Sequence, residues 1–143
     1  MIRIDTPEMR ERRLAIVLLD LIGSTAFVQR AGPLKAAQWL QYHDRLTRSL
    51  MYRFKGREIA VNFGLHYQAT IPPKTRLNTR IGIHVGVVAE VIQHELDTLV
   101  GAKPIELEGI AKNIAARTMS LSGPGQVLLT QEAMIEIRGR TDA

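Results

Sequence analysis

Residues 13–25 decide the fold: Arg13-Leu14-Ala15-Ile16-Val17-Leu18-Leu19-Asp20-Leu21-Ile22-Gly23-Ser24-Thr25. The unbroken apolar run at residues 13–20 is typical of a β-strand covered on both faces, so we expect a central strand. Gly23 allows a tight turn, and the hydroxyl side chains of Ser24 and Thr25 are suited to cap a helix. The stretch therefore predicts a buried strand, a glycine turn and the start of a helix.

The rest of the chain alternates helices and strands. Hydrophobic periodicity predicts helices over residues 24–30, 34–54, 60–70, 108–122 and 131–137, and strands over residues 80–88, 91–100 and 126–130. Gly32-Pro33 ends the first of these helices, and Ile71-Pro72-Pro73 closes the third. This alternation predicts an α/β fold in which helices pack on a central sheet.

The composition is that of a folded, single-domain protein. The chain has 143 residues and is 45% hydrophobic, which supports a core and excludes a disordered chain. It has 0 cysteines, which excludes a disulfide scaffold and any cysteine-based zinc site. The longest apolar run is too short to span a bilayer, and residues 1–7 lack the apolar core of a secretory signal. We expect a cytoplasmic domain without a membrane segment.

The net charge of +5 is compatible with an anionic partner, either nucleic acid or the phosphates of a nucleotide. An uneven surface charge on an ordinary soluble protein explains it equally well. The basic residues are dispersed, and 3 Phe, 3 Tyr and 1 Trp are few for a platform that stacks single-stranded nucleic acid. Nucleic acid is therefore the less favoured partner.

Several residues inside the predicted elements have a structural interpretation. His43 lies on the apolar face of the helix over residues 34–54, so we expect a hydrogen-bonded core histidine. Gly82 and Gly86 lie inside a strand, where glycine usually marks the close approach of another backbone or of a ligand. His84 is assigned no chemical role.

Two places have residues suited to chemistry. Asp20, at the end of a strand and beside a Gly-Ser-Thr turn, can hold a divalent cation while the helix N-terminus receives phosphates. The alternative is an acid that only caps the turn. Asn113 and Arg117 lie four apart on one helix, with Arg117 near the edge of an apolar stripe. That guanidinium either extends to solvent at a rim or faces an anion at an interface.

Four segments of the chain are informative together: residues 18–25 (LLDLIGST), 80–86 (RIGIHVG), 109–117 (GIAKNIAAR) and 124–129 (PGQVLL). In their sequences, their order and their rough spacing they resemble the catalytic domain of class III nucleotidyl cyclases. The first resembles the strand and loop that carry a metal-binding aspartate. The others resemble a strand that starts with arginine, the Asn-x-Ala-Ala-Arg helix and the strand after it. The resemblance implies a ferredoxin-like sandwich, with a central β-sheet and helices packed on it.

The resemblance also implies roles for individual residues. Asp20 and the main-chain carbonyl of Leu21 would ligate Mg²⁺ or Mn²⁺. The backbone N–H groups of the turn (Gly23, Ser24 and Thr25) would hold the triphosphate, and Arg80 would neutralise its charge. Asn113 would orient the ribose, and Arg117 would stabilise charge at the reacting phosphorus. The implied reaction converts a nucleoside triphosphate to a 3′,5′-cyclic nucleotide and pyrophosphate by a two-metal mechanism.

Base choice and assembly follow from the same resemblance. Glu106 stands where the family reads the base, and a carboxylate accepts a hydrogen bond from the amine of adenine, which favours ATP over GTP. A solvated acid at the end of a strand explains Glu106 equally well. The family works as a head-to-tail dimer. Asp20 and Arg80 would then come from one subunit of a homodimer, and Asn113 and Arg117 from the other.

The chain departs from the family pattern at the second metal-binding carboxylate. The family carries it on a hairpin after the long helix, together with a base-reading lysine. Gly56-Arg57-Glu58-Ile59 resembles the approach to that hairpin, but no Asp or Glu occurs between Ile59 and Glu90. We therefore expect residues 1–143 to be one cyclase-like catalytic domain that is incomplete near residues 59–60 and at the C-terminus. Two alternatives are a catalytically inactive cyclase-like module that binds a nucleotide or dimerises, and a basic nucleic-acid-binding domain.

Overall fold

The computed structural model describes residues 6–53 and 59–141, with side chains for residues 6–50 and 61–139. Its strands are β1 (Glu8–Leu21), β2 (Thr79–Ile92), β3 (Ile105–Glu108) and β4 (Val127–Leu129). Its helices are α1 (Ser24–Ala31), α2 (Pro33–Arg53), α3 (Ile59–Thr75), α4 (Glu95–Leu99), α5 (Ile110–Leu121) and α6 (Gln131–Thr141). This mixed sheet with helices packed on it confirms the predicted α/β sandwich.

Strand β2 is the centre of the sheet. It pairs antiparallel with β1 over its whole length, from Thr79 opposite Leu21 to Ile92 opposite Glu8. Its other edge pairs antiparallel with β3 near Ile92 and parallel with β4 near Ile81. The description of residues 13–20 as a central strand is therefore wrong within the described residues, where β1 pairs with β2 alone.

The apolar run of β1 has a different cause, because helices cover both faces of the sheet. Directly opposite residues of an antiparallel pair share a face, so side chains alternate between two sides. On one side, the α5 face, Ile16 and Val88 pack against Ala111 and Ala115 of α5. On the other side, the α3 face, the core consists mainly of residues from α2, α3 and β2: Leu50, Phe63, Tyr67, Ile71, Ile81 and Ile83. An edge strand can thus be apolar on both faces.

Helix α5 lies directly on β2 at the strand glycines. A Cβ atom added to Gly82 would lie 2.2 Å from the backbone nitrogen of Met119. One added to Gly86 would lie 2.8 Å from the Cβ of Ala111. Of the two explanations that the glycines allowed, the close approach of another backbone is observed at Gly82, where it sets the height of α5 above the sheet, whereas at Gly86 the neighbours are the side chains of Ala111 and His84.

We expect Gly82→Ala to destabilise the fold, because the new methyl group would force the helix away from the strand. Overpacking of this kind costs about 2 kcal/mol or more. Gly139→Ala in α6 is the matched control, since a Cβ there meets nothing within 4 Å. Urea denaturation measures both free energies of unfolding. Equal stability of the two variants would contradict the packing described here.

His43 is the buried, hydrogen-bonded histidine that the sequence predicts. It is 7% exposed, and its Nε2 lies 2.7 Å from the hydroxyl oxygen of Tyr67 on α3. Its ring stacks on Trp39 with the centroids 5.6 Å apart. The hydrogen bond between His43 and Tyr67 joins α2 to α3. The observed α2 confirms the predicted helix, although Phe54, the last residue of the predicted stripe, lies outside the described residues.

The predicted end of one helix and one predicted strand are wrong. Ile71-Pro72-Pro73 does not close α3, which continues to Thr75 with both prolines in its last turns. Tyr67 and Ile71 are fully buried on that helix, so core packing offsets the missing backbone donors. The return strand predicted at residues 91–100 is also wrong. There β2 runs on to Ile92, α4 follows, and the strand that returns is β3.

An ion pair between a buried carboxylate and exposed arginines lies at one end of the β1–β2 ladder. Glu90 accepts a hydrogen bond from Nε of Arg10, the residue directly opposite, at 2.7 Å, and a longer one from Arg12 at 3.4 Å. The hydrogen bond from Arg10 is the main cause that lowers the pKa of Glu90 below its ordinary value, against the opposing effect of burial. The ionised form of Glu90 is thus the one that the fold stabilises.

This pair should make stability depend on acidity. A lowered carboxyl pKa contributes stability above the pKa of the unfolded chain, and this contribution is lost as pH falls through the folded value. We expect Glu90→Gln to be less stable than the unchanged protein at pH 7, with the gap narrowing below about pH 4. Glu136→Gln, which breaks the exposed Arg13–Glu136 pair, is the control. Urea denaturation across pH measures this, and a gap that stays constant would contradict it.

Candidate functional site

Asp20 and Arg80 form the centre of the candidate site. They face each other at the other end of the β1–β2 ladder, on the α5 face of the sheet. Nε of Arg80 donates to Oδ2 of Asp20 at 3.0 Å, and Nη2 lies 2.8 Å from the same oxygen. The side chains are 40% exposed for Asp20 and 32% for Arg80, so solutes can reach both.

Helix α5 also reaches this pair. The remaining nitrogen of Arg80, Nη1, donates to the main-chain carbonyl of Ser120 at 3.3 Å. Ser120 lies in the last turn of α5, where free carbonyls favour a positive charge. Two strands and one helix therefore hold the guanidinium. The sequence analysis did not predict the contact with Ser120, because no sequence pattern links residues 80 and 120.

The turn after Asp20 leads into α1. Gly23 adopts a φ of 79°, in the left-handed region that favours glycine, and serves as the N-cap residue. The expected capping by Ser24 and Thr25 is wrong, because α1 begins at Ser24 and no side chain caps it. The first turn of α1 also contains no acidic residue. The positive end of the helix dipole is therefore available to an anion.

Asn113 and Arg117 lie elsewhere, on the outer side of α5. Both are exposed, while the helix buries Ala111, Ala115 and Thr118 against the sheet. The apolar residues at the two ends of the helix, Ile110 and Leu121, are 73% and 71% exposed. Within the described residues, neither Asn113 nor Arg117 bonds to Asp20 or Arg80. The predicted stripe is thus an outward surface.

Glu106 is remote from the Asp20–Arg80 pair in a single chain. It lies on β3 directly opposite Val91, which places it on the α3 face, whereas Asp20 lies on the α5 face. Arg80 and Val91 are separated by roughly 35 Å along β2, at about 3.3 Å per residue. One chain therefore does not bring Glu106 and Asp20 together.

Within the described residues, the donor set at Asp20 fits one Mg²⁺ or Mn²⁺, but not a pair of ions. Mg²⁺ is commonly held by one or two carboxylates together with phosphate oxygens of the substrate. Asp20 supplies one accessible carboxylate, and the carbonyl of Leu21 follows it. Among the described residues, no group of three or more His, Cys, Asp or Glu side chains could hold a metal. Glu58, the nearest acid in the predicted hairpin approach, lies outside those residues.

Solved structures with the same fold are numerous, although no family model and no curated protein sequence matches the chain. The catalytic core of a rhodopsin-guanylyl cyclase with converted specificity, in complex with ATPαS, is similar at a TM-score of 0.79. The identity is 19%, over 93% of this chain and 85% of that one. The adenylyl cyclase CyaB from P. aeruginosa is similar at a TM-score of 0.78 and 17% identity, over 92% and 83%.

A third similar structure is the guanylate cyclase domain of RhGC from Catenaria anguillulae in complex with GTP. Its TM-score is 0.78 at 18% identity, over 91% of this chain and 85% of that one. At these identities the likeness establishes the fold. In the part of the chain that the structure describes, no helix combines the length and the apolar character needed to cross a bilayer.

Proposed function

We propose that this chain, which has the fold of class III nucleotidyl cyclase catalytic domains, is a nucleotidyl cyclase. Its favoured reaction converts ATP to 3′,5′-cyclic AMP and pyrophosphate in a homodimer. The observation that carries the proposal is the accessible Asp20–Arg80 pair beside the N-terminus of α1, on a sheet of this fold. An acid, a guanidinium and an open helix end are the groups that a cation and a triphosphate require.

The triphosphate end of the site lies within one chain. The backbone N–H groups at Gly23, Ser24 and Thr25 would bind phosphate oxygens, and the guanidinium of Arg80 would bind them as a planar, bidentate donor. The open first turn of α1, without an acidic residue, supports this role.

The rest of the site would come from a second copy. Asn113 and Arg117 are exposed on α5 and face away from their own Asp20, so they can act on a nucleotide held by the partner. The exposed Ile110 and Leu121 on the same helix supply apolar surface for such an interface. Together these features favour the interface explanation for Arg117 over a guanidinium that extends into solvent.

The chemistry is an in-line displacement at the α-phosphorus. A bond forms between the ribose 3′-oxygen and that phosphorus, the bond to the bridging oxygen breaks to release pyrophosphate, and the proton of the 3′-hydroxyl passes to water. Asn113 would orient the ribose, and Arg117 would stabilise negative charge as it develops on the phosphoryl oxygens. When bound at Asp20 and Leu21, Mg²⁺ or Mn²⁺ would neutralise the triphosphate and acidify the 3′-hydroxyl.

The preference for ATP rests on Glu106, which would have to come from the second copy because one chain does not bring it to Asp20. Its carboxylate would accept a hydrogen bond from the exocyclic amine of adenine and would repel the carbonyl oxygen of guanine. Glu106 is half-buried on β3, near the N-terminal end of α5. Similar structures hold ATPαS in one case and GTP in another, so the fold itself does not select the base.

Removing either half of the site should abolish turnover. We expect Asp20→Ala and Arg117→Ala each to lower cyclic-nucleotide formation by about 100-fold or more, because the first would remove the ligand of the cation and the second the charge that stabilises the phosphoryl oxygens. Arg48→Ala, an exposed arginine of α2, is the control and should keep full activity. Circular dichroism checks that the variants fold. Unchanged turnover in either variant would remove its assigned role.

A mixture of the two inactive variants tests the shared site. If Asp20 and Arg117 act across subunits, mixed dimers contain one intact site, so we expect part of the activity to return. The measurement is product formation against the mixing ratio, with each variant alone as the baseline. No recovery would contradict the head-to-tail arrangement.

A second candidate function is a catalytically inactive cyclase-like module that binds a nucleotide. The single carboxylate at Asp20 favours it. Intact mass and a peptide map of the purified protein separate the two candidates. A mass of 16.0 kDa and a peptide that joins Ile59 directly to Ala60 would favour the module. Tight ATP binding without product would then be expected. A larger mass would indicate a further segment able to carry the second carboxylate.

A further inference from the structure

The side chains of Asp20 and Arg80 form an ion pair with each other. Arg80 directs both Nε and Nη2 at one oxygen of Asp20, Oδ2, at 3.0 and 2.8 Å, and gives Nη1 to the carbonyl of Ser120. All three nitrogens of the guanidinium therefore have partners within the chain. The residue proposed to bind a cation and the residue proposed to bind phosphate are each bound to the other before either ligand arrives.

This pairing disfavours a free divalent cation at Asp20. A carboxylate that accepts a charge-assisted hydrogen bond from Nε and lies in ion-pair contact with Nη2 already has a positive partner. A cation that takes the same carboxylate must displace the guanidinium or share the carboxylate with it. Sharing brings like charges together at short range, which costs free energy even in a partly solvated site.

A triphosphate reverses this balance because it attracts both positive groups. Its oxygens offer the guanidinium a bidentate partner with more negative charge than one carboxylate has. We infer that Arg80 is a latch on Asp20: it holds the carboxylate in the empty site, and triphosphate binding releases the carboxylate to the cation. The inference rests on the proposed function, which assigns the cation to Asp20 and the phosphates to Arg80. Cation and nucleotide then strengthen each other's binding.

The other end of the same ladder provides a matched control. Arg10 donates to the carboxylate directly opposite, Glu90, in the same way, but the Glu90 side chain is only 8% exposed and also has Arg12. Arg10 lies ten residues from Asp20 along β1, which is about 34 Å at 3.4 Å per residue. Arg10→Gln therefore removes one positive charge and one ladder pair at a distance from the candidate site.

The first test is a titration of the full chain with Mn²⁺ in the absence of nucleotide, with free Mn²⁺ measured by electron paramagnetic resonance. We expect Arg80→Gln to bind Mn²⁺ about fivefold more tightly than the unchanged chain, the factor that corresponds to a half-exposed ion pair. Arg10→Gln should bind as the unchanged chain does. Adding Asp20→Asn to Arg80→Gln should remove the gain. A folded Arg80→Gln variant without a gain overturns the latch.

The second test examines the other half of the pair and does not depend on the first variant. Asp20→Asn should bind inorganic tripolyphosphate about fivefold more tightly in EDTA, because Arg80 no longer has a carboxylate partner. Glu136→Gln, which also removes one negative charge beside an arginine, is the control. An equal gain in both variants would indicate a general charge effect and overturn the latch. Neither test involves turnover, so an absence of cyclic-nucleotide product would leave both readouts interpretable.

Discussion

The contact between α5 and β2 at Gly82 determines how the candidate site is built. Because no side chain separates helix from strand there, the last turn of α5 comes close enough for the carbonyl of Ser120 to accept a hydrogen bond from Arg80. The same packing buries Ala111 and Ala115 and directs Asn113 and Arg117 outward. One close approach thus gives Arg80 a second partner, the carbonyl of Ser120, and leaves Arg117 exposed on the outer side of α5.

The β1–β2 ladder ends in two arginine–carboxylate pairs that have different consequences. At one end Glu90 is buried and forms ion pairs with two arginines, so its negative charge is neutralised within the chain. At the other end the side chains of Asp20 and Arg80 are 40% and 32% exposed, beside the open N-terminus of α1. Chemically similar pairs therefore differ in accessibility, and it is accessibility that makes the second pair suited to ligands.

Sequence reasoning succeeded where local chemistry dominates. The turn at Gly23, the amphipathic helix that became α2 and the hydrogen-bonded His43 follow from conformational freedom and from 3.6-residue periodicity. It failed where tertiary packing overrides a local signal. Pro72 and Pro73 lie inside α3 because Tyr67 and Ile71 are anchored in the core. The apolar run of β1 correctly indicated that both faces of the strand are covered, because helices pack on both sides of the sheet. It did not indicate how many strands pair with β1, because strands pair along its edges and not on its faces.

Residue type and spacing along the chain are enough to predict the fold class, the acid at the end of β1, the arginine at the start of β2 and the Asn113–Arg117 helix. The bond between Asp20 and Arg80 is visible in the folded structure alone, because strand register is a long-range property. The folded structure also decided that Ile110 and Leu121 face outward and that Glu106 lies on the other side of the sheet. Which face of an element is buried depends on what packs against it, and periodicity alone does not contain that information.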